Sequence, residues 1–276
     1  VMNAVAGPEG RYALLSRRWA IFGITGVIGT FIVTRLIDLI HFPLNYAVMF
    51  MVLSLGGFLS FYFSRQIRVA DQAAPPLSKS RSPRESLQNY ANLLRQHPAF
   101  ISFASKRFVY FSALVLSVPI MPLYLVREVH ATDSQIGTIT MAMNLVMLVG
   151  YYLWPRVSRA RGGRFVLLAT TLGMTLHPAL SAATPRVDLI MVYAGIAGLF
   201  QAGLDLVFFD ELMKTVPPEY SATFVSLAQS TQYLSMILAP LVGTWLAGFI
   251  GLGGALWLSA GLRLVGFLLF LRRDVK

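Results

Sequence analysis

Long apolar stretches separated by short polar connections set the pattern of the whole chain. Eight of them are long enough to cross a hydrocarbon core of about 30 Å, which takes roughly 20 helical residues. They run near Trp19 to Leu39, Asn45 to Ser64, Phe103 to Val126, Gln135 to Trp154, Phe165 to Ala183, Val187 to Lys214, Phe224 to Phe249 and Gly251 to Leu271. Lipid cannot satisfy open backbone groups, and these runs are too long and unbroken for barrel strands, so each predicts a helix. The first run is too long for a signal-peptide core and is followed by more spans. The expected fold is all-α: a polytopic membrane helix bundle with eight transmembrane helices.

One polar connection stands apart. Residues Arg65 to Ala99 open on a Pro- and Ser-rich stretch, AAPPLSKSRSPRE, which reads as a linker between two blocks of helices. The chain then divides into residues 1–64, with two spans, the loop 65–99, and residues 100–276, with six. Within the loop Ser82, Pro83 and Glu85 form a capping-box pattern, and Leu87, Tyr90, Ala91 and Leu94 recur on one face. This predicts a short amphipathic helix lying at the membrane surface and packing on the bundle or on headgroups.

Composition agrees with the pattern: 56% of residues are hydrophobic, 13% are charged, and the mean hydropathy is +0.64. That excludes a soluble domain. The formal net charge of +11 does not indicate nucleic acid, because the basic residues lie between long apolar runs; anionic lipid is the better counterpart. Without cysteine the chain has no disulfide, no thiolate metal site and no thiol nucleophile. Connections on one side of the eight spans carry nineteen of the 23 Lys and Arg, including the turn RVSRARGGR at residues 156–164. The positive-inside rule therefore puts both termini, and that turn, in the cytoplasm.

A short repeat adds to this. Val5, Pro8 and Glu9 recur as Val216, Pro218 and Glu219, six spans later and in the same orientation. Parallel six-helix halves are a transporter architecture. With GPEGRYALLSRR, FPLNYAVMF, PLYLVREVHATDSQIG, WPRVSRARGGRFVL, VPPEYSATFVSLAQS and APLVGTWLA, the chain resembles the major facilitator superfamily over nearly its full length. The resemblance implies a partial fold of that family: helices five to twelve, with four helices absent from the start and residues 65–99 as the central cytoplasmic loop. Residues 1–64 would close an N-terminal bundle, and residues 100–276 would form the C-terminal one. In the arginine-rich turn, Gly162, Gly163 and Arg164 fit the family's loop motif, while its carboxylate is missing.

Polar groups inside spans are the candidates for function, since burying them in lipid is costly. Gln201 and Asp205 lie one turn apart on the sixth span, which the resemblance places along the transport cavity. Asp205 is the leading candidate, for a coupling proton or cation or for a basic group of the solute; the alternative is a carboxylate paired within the bundle or wetted near its cytoplasmic end. Ser226, Gln229, Ser230 and Tyr233 follow helical spacing on the seventh span; Gln229 and Tyr233 are candidates, with Asn144 and Tyr110 as weaker ones. Asp210 and Glu211 read as solvated interfacial groups, Arg35 and Asp38 as a local ion pair, and Arg263 as snorkelling to the interface or pairing with Asp205.

Small residues at Gly23, Gly26 and Gly29, at Gly56, Ser60 and Ser64, and at Gly243, Ala247 and Gly251 predict close helix contacts. Pro119, Pro122 and Pro240 permit bends. The four histidines are scattered and no H-E-x-x-H or G-x-S-x-G pattern occurs, so no enzyme is expected, and no cofactor or metal.

The resemblance implies an alternating-access carrier of a small-molecule solute in the cell (plasma, inner) membrane, truncated at its N-terminus and impaired in transport on its own. The alternative is a non-transporting membrane scaffold or assembly factor on the same fold. Expected partners are the solute, the lipid bilayer and a coupling proton or cation, with no nucleic acid.

Overall fold

A computed structural model describes residues 17–33, 35, 40, 44–66, 92–217 and 220–272, apart from the side chains of 45 and 46. All regular structure among these residues is helical. The first helix, α1, covers 17–33, and α2 follows at Leu44–Ser64. After a helical turn at 92–95 come α3 (Pro98–Leu116), α4 (Ile120–Arg127), α5 (Asp133–Arg161), α6 (Gly163–Ala182), α7 (Val187–Thr215) and α8 (Ser221–Leu271). Six helical segments among the described residues are long and apolar enough to cross a membrane, with α3 and α4 counted as one. The protein is a multi-pass helical membrane protein.

Local chemistry explains most of the boundaries. The run expected from Phe103 to Val126 is interrupted at Ser117–Pro119, because Pro119 lacks an amide donor and cannot continue α3; it becomes the N-cap of α4. Thr132 opens α5 with a capping box: its hydroxyl accepts from the Gln135 amide at 3.3 Å, while the Gln135 side chain accepts from the Thr132 amide at 2.9 Å. At the far end Arg159 and Arg161 sit in the last turn, where the helix dipole favours cations, and Gly162 stops the helix with φ 81°.

The runs expected at Phe224–Phe249 and Gly251–Leu271 are two arms of α8, broken at Gly251 (φ 78°, ψ 165°). Their contacts with α3 show that the chain doubles back there. Gln232, Ser235 and Gly243 of the first arm meet Arg107, Ser112 and Leu116 in ascending order. On the second arm Ser259, Gly266 and Arg272 meet Ala113, Tyr110 and Lys106 in descending order. The two arms are therefore antiparallel.

The bundle of α3 to α8 has its tightest seam between α5 and α7. Gly198 lies against the Met143 carbonyl and Gly150 against Leu199 and Ala202, so closely that a side chain at either position would clash. Trp154 Nε1 donates across the same seam to the Leu199 carbonyl at 2.6 Å. Of the small-residue faces expected from the sequence, Gly23 packs on Leu148 and Gly243 on Leu116, whereas Gly26, Gly29 and Gly56 face open space and Gly251 serves the turn. Outside the bundle, α1 leans on α5 through Trp19, whose ring stacks on Tyr151 at 6.1 Å. The side chains of α2 from Phe50 to Ser64 are exposed.

Candidate functional site

Arg18 and Trp19 of α1, Arg107, Phe111 and Leu114 of α3, Gln201, Leu204, Asp205, Phe208 and Phe209 of α7, and Gln229 and Gln232 of α8 line a cavity of about 340 Å³. That size falls within the range of about 300–1,000 Å³ common for small-molecule sites. Its polar groups sit on regular helices, Gln201 and Asp205 well within an apolar span, a placement that is costly in a membrane.

Asp205 is oriented from two directions. Gln201, one turn earlier on α7, donates its amide to Oδ1 at 2.7 Å, and the Tyr151 hydroxyl donates from α5 to Oδ2 at 3.1 Å. Each carboxylate oxygen thus has one donor and keeps acceptor capacity. Tyr151 is itself fixed by burial and by Trp19. Arg107 enters from α3: its Nη2 donates to Gln232 Oε1 at 2.5 Å, and its guanidinium lies 5.8 Å from the Phe208 ring centroid. Its Nε is buried and has no hydrogen bond among the described residues. Arg107 and Asp205 line the same cavity and do not bond to each other.

The sequence candidates separate into groups. Asp205, Gln201 and Gln229 meet at the cavity. Tyr233 is 59% exposed on α8, outside the lining; Gln232, one residue earlier, faces in. Ser226 and Ser230 line a different pocket. Asn144 is half-buried on α5 and also outside the lining. Tyr110 is fully buried among Phe208 and Phe270, its hydroxyl donating to the Thr171 carbonyl at 2.8 Å. Sequence reasoning missed Gln232, Tyr151 and above all Arg107, which was counted with the cytoplasmic loop charges. The position of Arg107 just inside the third apolar run was the available signal.

Two readings of charged residues are corrected. Arg263 neither snorkels nor pairs with Asp205: it is 3% exposed and donates to the Met174 carbonyl at 2.8 Å, the Leu114 carbonyl at 3.4 Å and Ser117 Oγ at 2.6 Å. Asp210 and Glu211 are not simply solvated. Asp210 is 8% exposed, and Lys214 pairs with both, at 2.8 and 2.7 Å. Asp38 lies outside the described residues, and Arg35 rests over the Phe31 ring at 5.4 Å.

The arginine-rich turn packs on neighbouring helix ends. Gly163 opens α6 so close to Glu211 and Lys214 that a methyl group there would lie 2.7 Å from the Glu211 carboxylate. An acidic group thus stands by the positive end of the α6 dipole, supplied by α7 rather than by the turn. Arg164 donates to the Leu271 carbonyl at 3.0 Å, at the negative end of α8. The amphipathic helix expected at Ser82 to Leu94 lies outside the described residues except for its last turn, and the VPPEY copy of the repeat is described except at 218 and 219.

The chain is thus a polytopic helical membrane protein with charged and amide groups gathered around a cavity between its spans. The model of the Major Facilitator Superfamily matches residues 107–276, more than half of the chain. The chain belongs to that superfamily, whose members are typically secondary transporters rather than enzymes. No curated protein matched it.

Proposed function

We propose that the protein moves a small solute across the cell membrane as an alternating-access secondary carrier, and that the Asp205 cavity is where solute or coupling ion binds. The observation that carries this is the convergence of Asp205, Gln201, Arg107 and Gln232, from three helices, on one cavity of solute size. Eight apolar runs support eight crossings of a plasma or inner membrane, and the charge asymmetry of the connections supports both termini in the cytoplasm. In this reading residues 1–64 close one bundle, 65–99 form the cytoplasmic loop, and 100–276 form a six-helix bundle. Tyr151 and Gln201 hold the carboxylate; Gln229 and Gln232 supply further amide contacts to the solute.

Profiles of solutes inside and outside cells test this, compared among cells making the wild-type protein at its native level, cells lacking it, and cells making Asp205→Asn. At least one solute should shift its distribution in the deletion and stay shifted in the variant. Identical profiles in all three would overturn the proposal. A deletion effect fully restored by Asp205→Asn would remove Asp205 from the mechanism, and a stable protein complex recovered from native membranes would instead favour a scaffold.

A further inference from the structure

We infer that the solute is a zwitterion with an apolar body, an α-amino-acid-like molecule whose carboxylate docks on Arg107 and whose ammonium docks on Asp205. The inference rests on the carrier reading of this cavity and goes further by naming the chemical class of its cargo.

Three observations carry it. First, a guanidinium and a carboxylate line one cavity and are each held by neutral neighbours, Gln232 for Arg107 and Gln201 with Tyr151 for Asp205, instead of by each other. Opposite charges held apart and partly withdrawn from water are costly unless something of complementary charge spans them. A molecule bearing both signs completes both pairs at once, and a singly charged one completes only one.

Second, each group retains capacity for a ligand. Arg107 makes a single hydrogen bond among the described residues, from Nη2, so its other terminal nitrogen keeps donors for a carboxylate. Both Asp205 oxygens, with one donor apiece, can accept from an ammonium. Third, the remaining wall is apolar: Trp19, Phe111, Leu114, Leu204, Phe208 and Phe209 surround the charged pair and offer room for an aliphatic or aromatic side chain. Arg18 is exposed on the same lining and adds a second positive charge to it.

The test is a binding comparison on the purified full chain in detergent, read by ligand-induced thermal stabilisation. The probes are the proteinogenic α-amino acids, each matched with its deaminated acid and its decarboxylated amine, so that three molecules share one side chain and differ in charge. At least one amino acid should bind ten times or more tighter than both of its partners. In Arg107→Gln that amino acid should bind no better than its amine, and in Asp205→Asn no better than its acid. Melting of each variant without ligand checks its folding, and the wild-type comparison among the three probes stands without any variant.

An acid binding as tightly as its amino acid would make this an anion site, and an amine doing so a cation site. Either result overturns the zwitterion and leaves the carrier reading standing. No binding in any of the three charge classes overturns the zwitterion as well, and the carrier reading is then decided by the solute profiles alone.

Discussion

Arg107 and Arg263 both lie inside apolar spans, and their surroundings differ in the respect that separates structure from function. Arg263 is 3% exposed and spends its donors on backbone carbonyls of α3 and α6 and on the Ser117 hydroxyl at the break after α3. Those contacts tie the second arm of α8 to two neighbouring helices. Arg107 bonds a side-chain amide, faces a cavity, and shares that cavity with Asp205. Both leave a buried Nε without a partner, so a bare nitrogen by itself marks no site. What differs is the space in front of the group and an opposite charge across it. An intramembrane charge invites a functional reading, and the shape of its surroundings decides whether that reading holds.

The contrast can be broken most severely at Arg263. Arg263→Ala opens a void between α3, α6 and α8 and should cost about 2–5 kcal/mol of stability, measured by denaturant or thermal unfolding in detergent. Arg263→Met, which fills the space without the charge, should recover most of that loss. If Arg263→Met stays folded yet abolishes solute binding, the assignment of Arg263 to structure fails.

Arg107→Gln should show the opposite profile. Solute uptake or binding falls at least about tenfold, equivalent to about 1.4 kcal/mol, while the melting temperature stays within about 3 °C of wild type. A large drop in melting temperature would put Arg107 with Arg263. Tyr151→Phe removes one of the two donors to Asp205 and should weaken solute affinity by roughly fivefold, or about 1 kcal/mol, with maximal turnover less affected. An unchanged affinity would mean that Gln201 alone orients the carboxylate.

The smallest effect is expected at Lys214, whose half-exposed side chain pairs with Asp210 and Glu211. Lys214→Ala should cost less than about 1 kcal/mol, since solvent screens such pairs. A larger loss would show that the cluster beside Gly163 holds the α6–α7 end together.

Much of the fold was legible in the residues because lipid leaves the backbone few choices. Long apolar runs had to be helices, and Pro119 and Gly251 fell where the chain breaks its helical course. The glycine seam was less legible: the sequence shows glycines in every block, and only packing tells Gly198, pressed on the Met143 carbonyl, from Gly26, which touches nothing. At the cavity, Asp205 and Gln201 could be read from one helix because a period of one turn places them together. Arg107 and Gln232 come from different helices, and no spacing along the chain encodes their meeting. Tyr233 shows the limit of periodicity: a polar stripe predicts a shared face, but not which way that face looks.

The reversal at Gly251 has a practical consequence. Because one residue carries the chain from one arm to the other, that side of the membrane receives almost no polypeptide between the last two passes. An impermeant reagent, a protease or an antibody has nothing there to grip. Reporters of sidedness belong instead in the wider connections around Val129–Thr132 or Thr184–Arg186.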